Sequence, residues 1–223
     1  PTIVAVSLAI NIIKMSKQNA LVKKMVACET IGCINVICSD KTGTLTENRM
    51  TVTDIYDHGT LHGPDALQNP DLIQNFCVNS TADVHFENDQ PHFIGNPTEC
   101  ALLTAVHKSG GDYAAVRGAA TVLHVFPFSS ETKNMTTVVA SPAGMTVYSK
   151  GSPEKIIAMC SMQPEERAAA EAEIRRFQEK AGRVIGFAHR ELPLCQDIEA
   201  HRATLESELV FDGFVSITDP LRA

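Results

Sequence analysis

Residues 38–46, Cys-Ser-Asp-Lys-Thr-Gly-Thr-Leu-Thr, contain the side chains best suited to covalent chemistry. The carboxylate of Asp40 can attack a phosphoryl group if it is held in line and its charge is offset. Lys41 adds positive charge, and a magnesium ion held by carboxylate and phosphate oxygens adds more. Gly43 lets the backbone approach the transferred group, while the hydroxyl of Thr42 can donate to phosphate oxygens. These residue types are suited to phosphoryl transfer with Asp40 as the nucleophile, although an isolated Asp-Lys-Thr-Gly turn is also a common loop sequence.

The elements before this segment are predicted to position Asp40. The first ~26 residues have the pattern of one helix, apolar early and polar later. Residues 34–38 are apolar and largely β-branched, which predicts a buried strand that ends at Ser39 and Asp40. Ligands of open α/β sheets bind at the carboxyl ends of strands, so this placement suits a reactive carboxylate.

A long α+β insertion is predicted to follow, from Thr51 to about Val210. Helices are expected at 71–78, 97–108 and 164–181, and strands at 50–56, 121–126, 136–140, 145–149, 183–189 and 209–218. The last strand is expected to return to the first sheet. The fold class is therefore α/β plus α+β, with an antiparallel sheet and helices in the inserted part.

Composition narrows the possible functions. The formal net charge is -7, which disfavours a nucleic-acid-binding surface. The seven cysteines contain no C-x-x-C pair, so reduced, packed thiols are expected rather than a zinc site or disulfides. The histidines at 58, 62, 85 and 92 lack metal-site spacing and are expected at the surface.

The string Asp-Lys-Thr-Gly-Thr-Leu-Thr at 40–46 matches the signature of P-type ATPases, a branch of the haloacid-dehalogenase-like superfamily. The flanks at 27–32 and 47–52 resemble the calcium pumps of the type II branch, most closely the plasma-membrane type. The resemblance implies ATP-driven calcium export from the cytosol through an aspartyl-phosphate. It also implies Mg²⁺ and ATP as cofactors, catalytic roles for Asp40, Lys41 and Thr42, and magnesium at Asp40 and Thr42.

Four further segments and the final motif resemble the family's nucleotide pocket. Lys-Gly-Ser-Pro-Glu at 150–154 has Ser where the family motif has Ala, and Asp-Pro-Leu-Arg at 219–222 resembles the hinge motif. The nucleotide contacts that the resemblance implies are Glu99, Phe128, Lys133, Lys150, Gly151, Arg183, Asp219 and Arg222. Two of these segments also have structural interpretations: Asn96 with Glu99 forms a capping-box pattern, and Ser152 can cap a helix.

The same resemblance divides the chain. Residues 1–26 correspond to the end of the fourth transmembrane helix and its stalk, 27–53 to the start of the phosphorylation domain, 54–210 to the nucleotide-binding domain, and 211–223 to the hinge and return strand. The apolar run 1–13 is too short to span a bilayer alone, which takes about 20 residues, and its lysine-rich flank suits the cytoplasmic side. The segment is thus expected on the cytoplasmic side of a multi-pass membrane protein. Later magnesium-binding motifs are absent, so the segment alone is expected to be inactive.

Two other classes of function remain open. A soluble haloacid-dehalogenase-like phosphatase uses the same nucleophile but carries a second Asp two positions later, where this chain has Thr42. The chain could also act by itself as an ATP-binding module without turnover.

Overall fold

A computed structural model of the chain describes residues 2–40, 44–47, 49–87, 90–180 and 182–220. The chain divides into two compact units, Pro1–Leu45 and Thr46–Ala223. The first unit contains α1 (Thr2–Lys17) and α2 (Val26–Gly32).

The prediction of one continuous helix over the first ~26 residues is wrong. Asn19 adopts the left-handed conformation, with φ of 60°. The N–H of Ala20 donates to the carbonyl of Met15, and the N–H of Asn19 donates to that of Ser16. This pair of bonds is a Schellman motif, which ends a helix because its last carbonyls are satisfied by the turning chain. None of the described helices is both long enough and apolar enough to cross a membrane.

Residues 34–38 do not form the predicted buried strand. They have no strand assignment, and the side chains of Val36 and Ile37 are 75% and 80% exposed. A strand needs a neighbour for its backbone hydrogen bonds, and no described strand pairs with this segment. The apolar run is therefore left without the sheet that its composition favours.

The second unit is built on a seven-stranded antiparallel sheet in the order β2-β1-β9-β8-β7-β6-β5. Its strands are β1 (Thr51–Asp57), β2 (Thr60–His62), β5 (Val122–Phe126), β6 (Asn134–Ser141), β7 (Gly144–Gly151), β8 (Arg183–Leu192) and β9 (Val210–Thr218). A separate hairpin pairs β3 (Asp83–Glu87) with β4 (Gln90–Ile94). Of these, β2 and the β3–β4 hairpin were not predicted.

Helices cover both faces of this sheet. They are α3 (Pro70–Val78), α4 (Pro97–Lys108), α5 (Tyr113–Ala119), α6 (Pro153–Met159), α7 (Pro164–Glu179) and α8 (Arg202–Leu205). Ala170, Ile174 and Phe177 recur at helical spacing along α7, and they are buried in one cluster with Phe214 of β9. The largest core cluster lies with α3 and α4, where Phe76 and Leu102 are fully buried.

The last strand, β9, lies between β1 and β8 in the same sheet. The sequence predicts that the last strand, 209–218, returns to the first sheet, whereas β9 pairs with β1 and β8 in the sheet of the second unit. Gly213 permits the close approach to β1, because a Cβ at its φ of 143° would lie 1.9 Å from the carbonyl oxygen of Tyr56. Hydrogen bonding in the interior of one sheet thus fixes the position of this strand.

Candidate functional site

A cavity of about 470 Å³ opens on the second unit. Its walls come from three elements and one loop: the first turns of α4, the end of β7 with the turn into α6, the start of β8, and the loop that carries Phe128. The lining residues are Asn96, Thr98, Glu99, Leu102, Phe128, Lys150, Gly151, Ser152, Arg183, Val184 and Ile185. Pockets for small ligands commonly measure about 300–1,000 Å³ and combine apolar walls with a few polar groups, so this cavity is of suitable size and character.

An ion pair forms one wall of the cavity. The ammonium of Lys150 donates to Oε1 of Glu99 over 2.6 Å, and both residues are more than nine-tenths buried. The backbone N–H and the hydroxyl of Thr81 donate to Oε2 of Glu99 over 2.9 Å and 2.8 Å. Glu99 is the third residue of α4 and Lys150 is the next-to-last residue of β7, and the fold brings these two element ends together. Because the two charges bind each other, neither projects freely into the cavity.

Burial and ion pairing have opposite effects on the pKa values of Glu99 and Lys150. Burial by itself raises the pKa of the Glu99 carboxyl, but the Lys150 ammonium and the Thr81 hydrogen bonds outweigh it, and the pKa of Glu99 is lowered. Burial lowers the pKa of Lys150, and the charge of Glu99 opposes that shift. The pair therefore keeps a negative and a positive charge fixed beside the cavity without solvent between them.

Phe128 and Arg183 provide the cavity's more accessible groups. Phe128 is 62% exposed although it is a large aromatic residue, so its ring is open to a planar ligand. Arg183 begins β8 and donates from Nη1 to the hydroxyl of Thr98 over 2.9 Å. That bond holds the guanidinium at the cavity while leaving its other N–H groups available to donate.

Gly151 and Lys133 shape the cavity through their backbones. A Cβ on Gly151 would lie 2.3 Å from the carbonyl oxygen of Lys133. The same carbonyl accepts a hydrogen bond from the N–H of Ser152 over 3.0 Å. Gly151 is thus required by the close approach of the loop before β6, and the side chain of Lys133 does not line the cavity.

The remaining implied contacts lie elsewhere. Asp219 accepts hydrogen bonds from the hydroxyl of Thr46 over 2.5 Å and from the N–H of Arg49 over 3.1 Å, which ties together the two segments that flank the sheet. Asp40 is exposed in the first unit, with the hydroxyl of Ser39 donating to its backbone carbonyl over 3.1 Å. Lys41, Thr42 and Arg222 fall outside the described residues.

Five of the eight implied nucleotide contacts therefore line one cavity, namely Glu99, Phe128, Lys150, Gly151 and Arg183. The sequence missed the apolar floor formed by Leu102, Val184 and Ile185. It also interpreted Asn96 and Ser152 only as helix caps, and they are: the side chain of Asn96 accepts from the N–H of Thr98, and that of Ser152 accepts from the N–H of Lys155. The sequence did contain one signal for these two residues: each caps the start of a helix, and both helix starts lie at this cavity.

The residues suit ATP and, in part, magnesium. An exposed aromatic ring, an apolar floor and a guanidinium match the adenine and phosphate groups of a nucleotide. Magnesium binds through one or two carboxylates together with phosphate oxygens, and Asp40 supplies one exposed carboxylate of that kind.

Comparisons with known proteins identify the family of this chain. The family model described as P-type ATPase, cytoplasmic domain N, matches residues 69–223. The chain is 37% identical to calcium-transporting ATPase PAT1 of Dictyostelium discoideum, matching all of this chain and 21% of that protein. It is 35% identical to plasma membrane calcium-transporting ATPase 4 of Homo sapiens, matching all of this chain and 20% of that protein. Against calcium-transporting ATPase 1 of Lactococcus lactis it is 32% identical, covering 99% of this chain and 26% of that protein.

The chain thus spans about a quarter or less of the length of these relatives. The matches nevertheless cover the chain almost from end to end, and the family model covers the part that forms the cavity. This chain belongs to the P-type ATPase family.

Proposed function

We propose that this chain is part of an ATP-driven calcium transporter that works through an aspartyl-phosphate on Asp40. The observation that carries the proposal is the cavity of the second unit, where five residues implied as nucleotide contacts meet. The names of the relatives, which are calcium-transporting ATPases, support calcium as the transported ion. Residues 27–53 then belong to the phosphorylation domain, and the protein is a membrane protein with this segment on the cytoplasmic side.

The nucleotide is held by separate parts of the cavity. The adenine ring stacks on Phe128, whose face is exposed, and rests above the apolar floor. The N–H groups of Arg183 that are not bonded to Thr98 donate to phosphate oxygens. Glu99 and Lys150 act as a fixed pair of opposite charges that orients the polar edge of the nucleoside.

The chemistry then takes place at Asp40. One carboxylate oxygen attacks the γ-phosphorus, the bond to the β–γ bridging oxygen breaks, and ADP leaves with the electron pair. Water later hydrolyses the acyl phosphate and restores the carboxylate. Asp40 and Thr42 would hold a magnesium ion together with the phosphate oxygens, and that ion would offset the charge of the transferred group. Lys41 adds a second positive charge beside the nucleophile.

The test of this function is transport by the full-length protein in sealed vesicles. We expect ATP-dependent uptake of labelled calcium, with Na⁺, K⁺, H⁺ and Mg²⁺ each giving no comparable signal when they replace calcium. Uptake of one of those ions in place of calcium would reassign the substrate and leave the ATPase mechanism intact. Hydrolysis of small phosphate esters without ion movement would instead favour the soluble phosphatase.

Phe128→Ala tests the adenine contact. Loss of one aromatic stacking partner is worth about 1 kcal/mol beyond burial, or about a fivefold weaker affinity for ATP. The fold should be unaffected, because substitutions of exposed side chains usually change stability by less than about 0.5 kcal/mol. Calorimetric titration of the chain with ATP measures the affinity. Phe93→Ala, on the exposed hairpin, is the matched control, and an equal loss in both variants would remove Phe128 from the site.

A further inference from the structure

Three side chains that commonly bind metals meet at the opposite end of β8 from Arg183. They are Asp71 in the first turn of α3, His189 on β8 and Asp212 on β9, and we call them the Asp71–His189–Asp212 cluster. One donor atom of each residue lies within 4.8 Å of the donor atoms of the other two. None of the three lines the nucleotide cavity, so the proposed function leaves them unused.

The imidazole of His189 lies between the two carboxylates. Its Nδ1 is 2.5 Å from Oδ1 of Asp212, and its Nε2 is 4.0 Å from Oδ2 of Asp71. When Asp212 is ionised, its carboxylate can only accept, so the hydrogen bond places a proton on Nδ1; the neutral ring then presents the lone pair of Nε2 toward Asp71. Metal-binding histidines almost always donate their other ring N–H to a carboxylate or carbonyl in this way, which fixes the tautomer and raises the basicity of the ligand atom.

The position of Asp212 is imposed by an irregularity in the sheet. Phe187 pairs with Gly213 and Ala188 pairs with Phe211, so Asp212 is the extra residue of a β-bulge on β9. Bulges leave one residue outside the ladder and redirect its side chain, and they are frequent beside functional sites. The carboxylate is thereby directed to His189 instead of following the alternation of the strand.

The carboxylate of Asp212 is buried, and its hydrogen bonds do not fully compensate for the loss of water. The residue is 1% exposed, and its Oδ2 has no hydrogen-bond partner among the described residues. A buried polar oxygen without a partner costs free energy, and a second carboxylate nearby increases the negative charge of the site. A cation is the kind of ligand that would compensate both.

The cluster is accessible to a small ion. The side chains of Asp71 and His189 are 41% and 18% exposed, so water can complete a coordination sphere on their side. The 4.0 Å between Nε2 and Oδ2 is near the longest separation that one ion can bridge, since Zn–N and Zn–O bonds measure about 2.0–2.2 Å each. A small rotation of the exposed Asp71 side chain would shorten that gap and allow tetrahedral angles.

We propose that the Asp71–His189–Asp212 cluster is a binding site for a divalent transition-metal ion of the zinc class. Nε2 of His189 and a carboxylate oxygen of Asp71 are ligands, Asp212 orients His189 through Nδ1 and adds negative charge nearby, and water occupies the remaining positions. Imidazole nitrogen suits zinc and its neighbours, whereas magnesium and calcium prefer sites made only of oxygen. The site is therefore separate in chemistry from both the phosphoryl-transfer magnesium and the transported ion.

The experiment measures metal binding by the metal-stripped 223-residue chain, with Zn²⁺ titrated against a chromophoric chelator. We expect one Zn²⁺ per chain at this cluster, and at least ~10-fold weaker binding in Asp71→Asn and His189→Gln. Asp71→Asn is the variant that best preserves the fold, because its side chain is partly exposed. His92→Gln is the matched control, since His92 also lies near a carboxylate, 3.8 Å from Glu87, but on the exposed hairpin.

Cobalt identifies the ligands, which matters because Cys33 and Cys38 are exposed thiols that also bind zinc. Co²⁺ at the proposed site should give a spectrum of nitrogen and oxygen ligation without a sulfur-to-cobalt band, and that signal should disappear in Asp71→Asn. Unchanged Zn²⁺ affinity in both Asp71→Asn and His189→Gln would overturn the proposal. So would a spectrum dominated by thiolate ligation. Neither outcome bears on ATP binding, which is measured separately.

Discussion

Replacement of Asp40 by Asn is expected to abolish the phosphoenzyme in the full-length protein. The amide lacks the negative charge and the nucleophilic oxygen of the carboxylate, so no acyl phosphate can form. Incubation with ATP labelled in the γ-phosphate, followed by acid quenching, should label the natural protein and leave the variant at background. ATP-dependent calcium uptake should fall to background with it.

The fold should survive this change, because Asp40 is exposed and its carboxylate is not part of a packed interior. ATP binding by the variant should therefore remain. Asp65→Asn, at an exposed carboxylate in the short 3₁₀ turn Pro64–Ala66, serves as the control and should label normally. Acid-stable labelling of the Asp40→Asn protein at the natural level would show that another residue takes the phosphoryl group.

Replacement of Glu99 by Ala is expected to destabilise the second unit strongly. The change leaves the Lys150 ammonium buried without its partner, and breaking a buried ion pair from one side costs about 3–5 kcal/mol. It also leaves the N–H of Thr81 without its acceptor. Urea unfolding of the chain, followed by circular dichroism, measures the loss in the free energy of unfolding.

A double variant separates the effect of an unpaired charge from that of packing at this wall. The variant with both Glu99→Leu and Lys150→Met removes both charges, and apolar replacement of a whole buried pair is often close to neutral. It should therefore lose less stability than Glu99→Ala alone. If Glu99→Ala lowers the free energy of unfolding by less than about 1 kcal/mol, as expected for an exposed pair, then the pair is solvated. The description of a buried ion pair in the cavity wall would then be wrong.

The pH dependence of stability follows from the lowered pKa of Glu99. A carboxyl whose pKa is lower in the folded than in the unfolded chain stabilises the fold above its unfolded value, about 4.3 for Glu. This contribution is lost as the pH falls from there through the lowered folded value. We expect the natural chain to lose more stability in that acid range than the double variant, as measured by urea unfolding at each pH.

Sequence patterns predicted most long elements of the second unit, because its strands and helices are set by periodicity and strong caps. Asn96 and Ser152 cap α4 and α6, and the apolar stripe of α7 is buried as its spacing indicated. The prediction of a strand at 34–38 is wrong because a strand depends on pairing with other strands, which the local sequence does not specify. The prediction of a single N-terminal helix is wrong because Asn19 adopts the left-handed conformation, which the apolar pattern of the sequence does not reveal.

Long-range contacts explain what the site predictions missed. Lys150 and Glu99 were each expected to meet the nucleotide, but they are far apart in sequence and only folding shows that they bind each other. The resemblance implies Asp219 as a nucleotide contact, and its carboxylate accepts hydrogen bonds from Thr46 and Arg49. The Asp71–His189–Asp212 cluster has no spacing signature, because its members come from three separate elements and one is placed by a bulge.

The most direct test of the account is a titration of the isotope-labelled 223-residue chain with ATP, followed by the amide chemical shifts. We expect the shifts to change for residues at the starts of α4 and β8, for residues 150–152 and for Phe128. In Phe128→Ala, the Kd for ATP obtained from the same changes should rise about fivefold. Changes confined to the far end of the sheet, around His189, or no changes at millimolar ATP, would contradict the account.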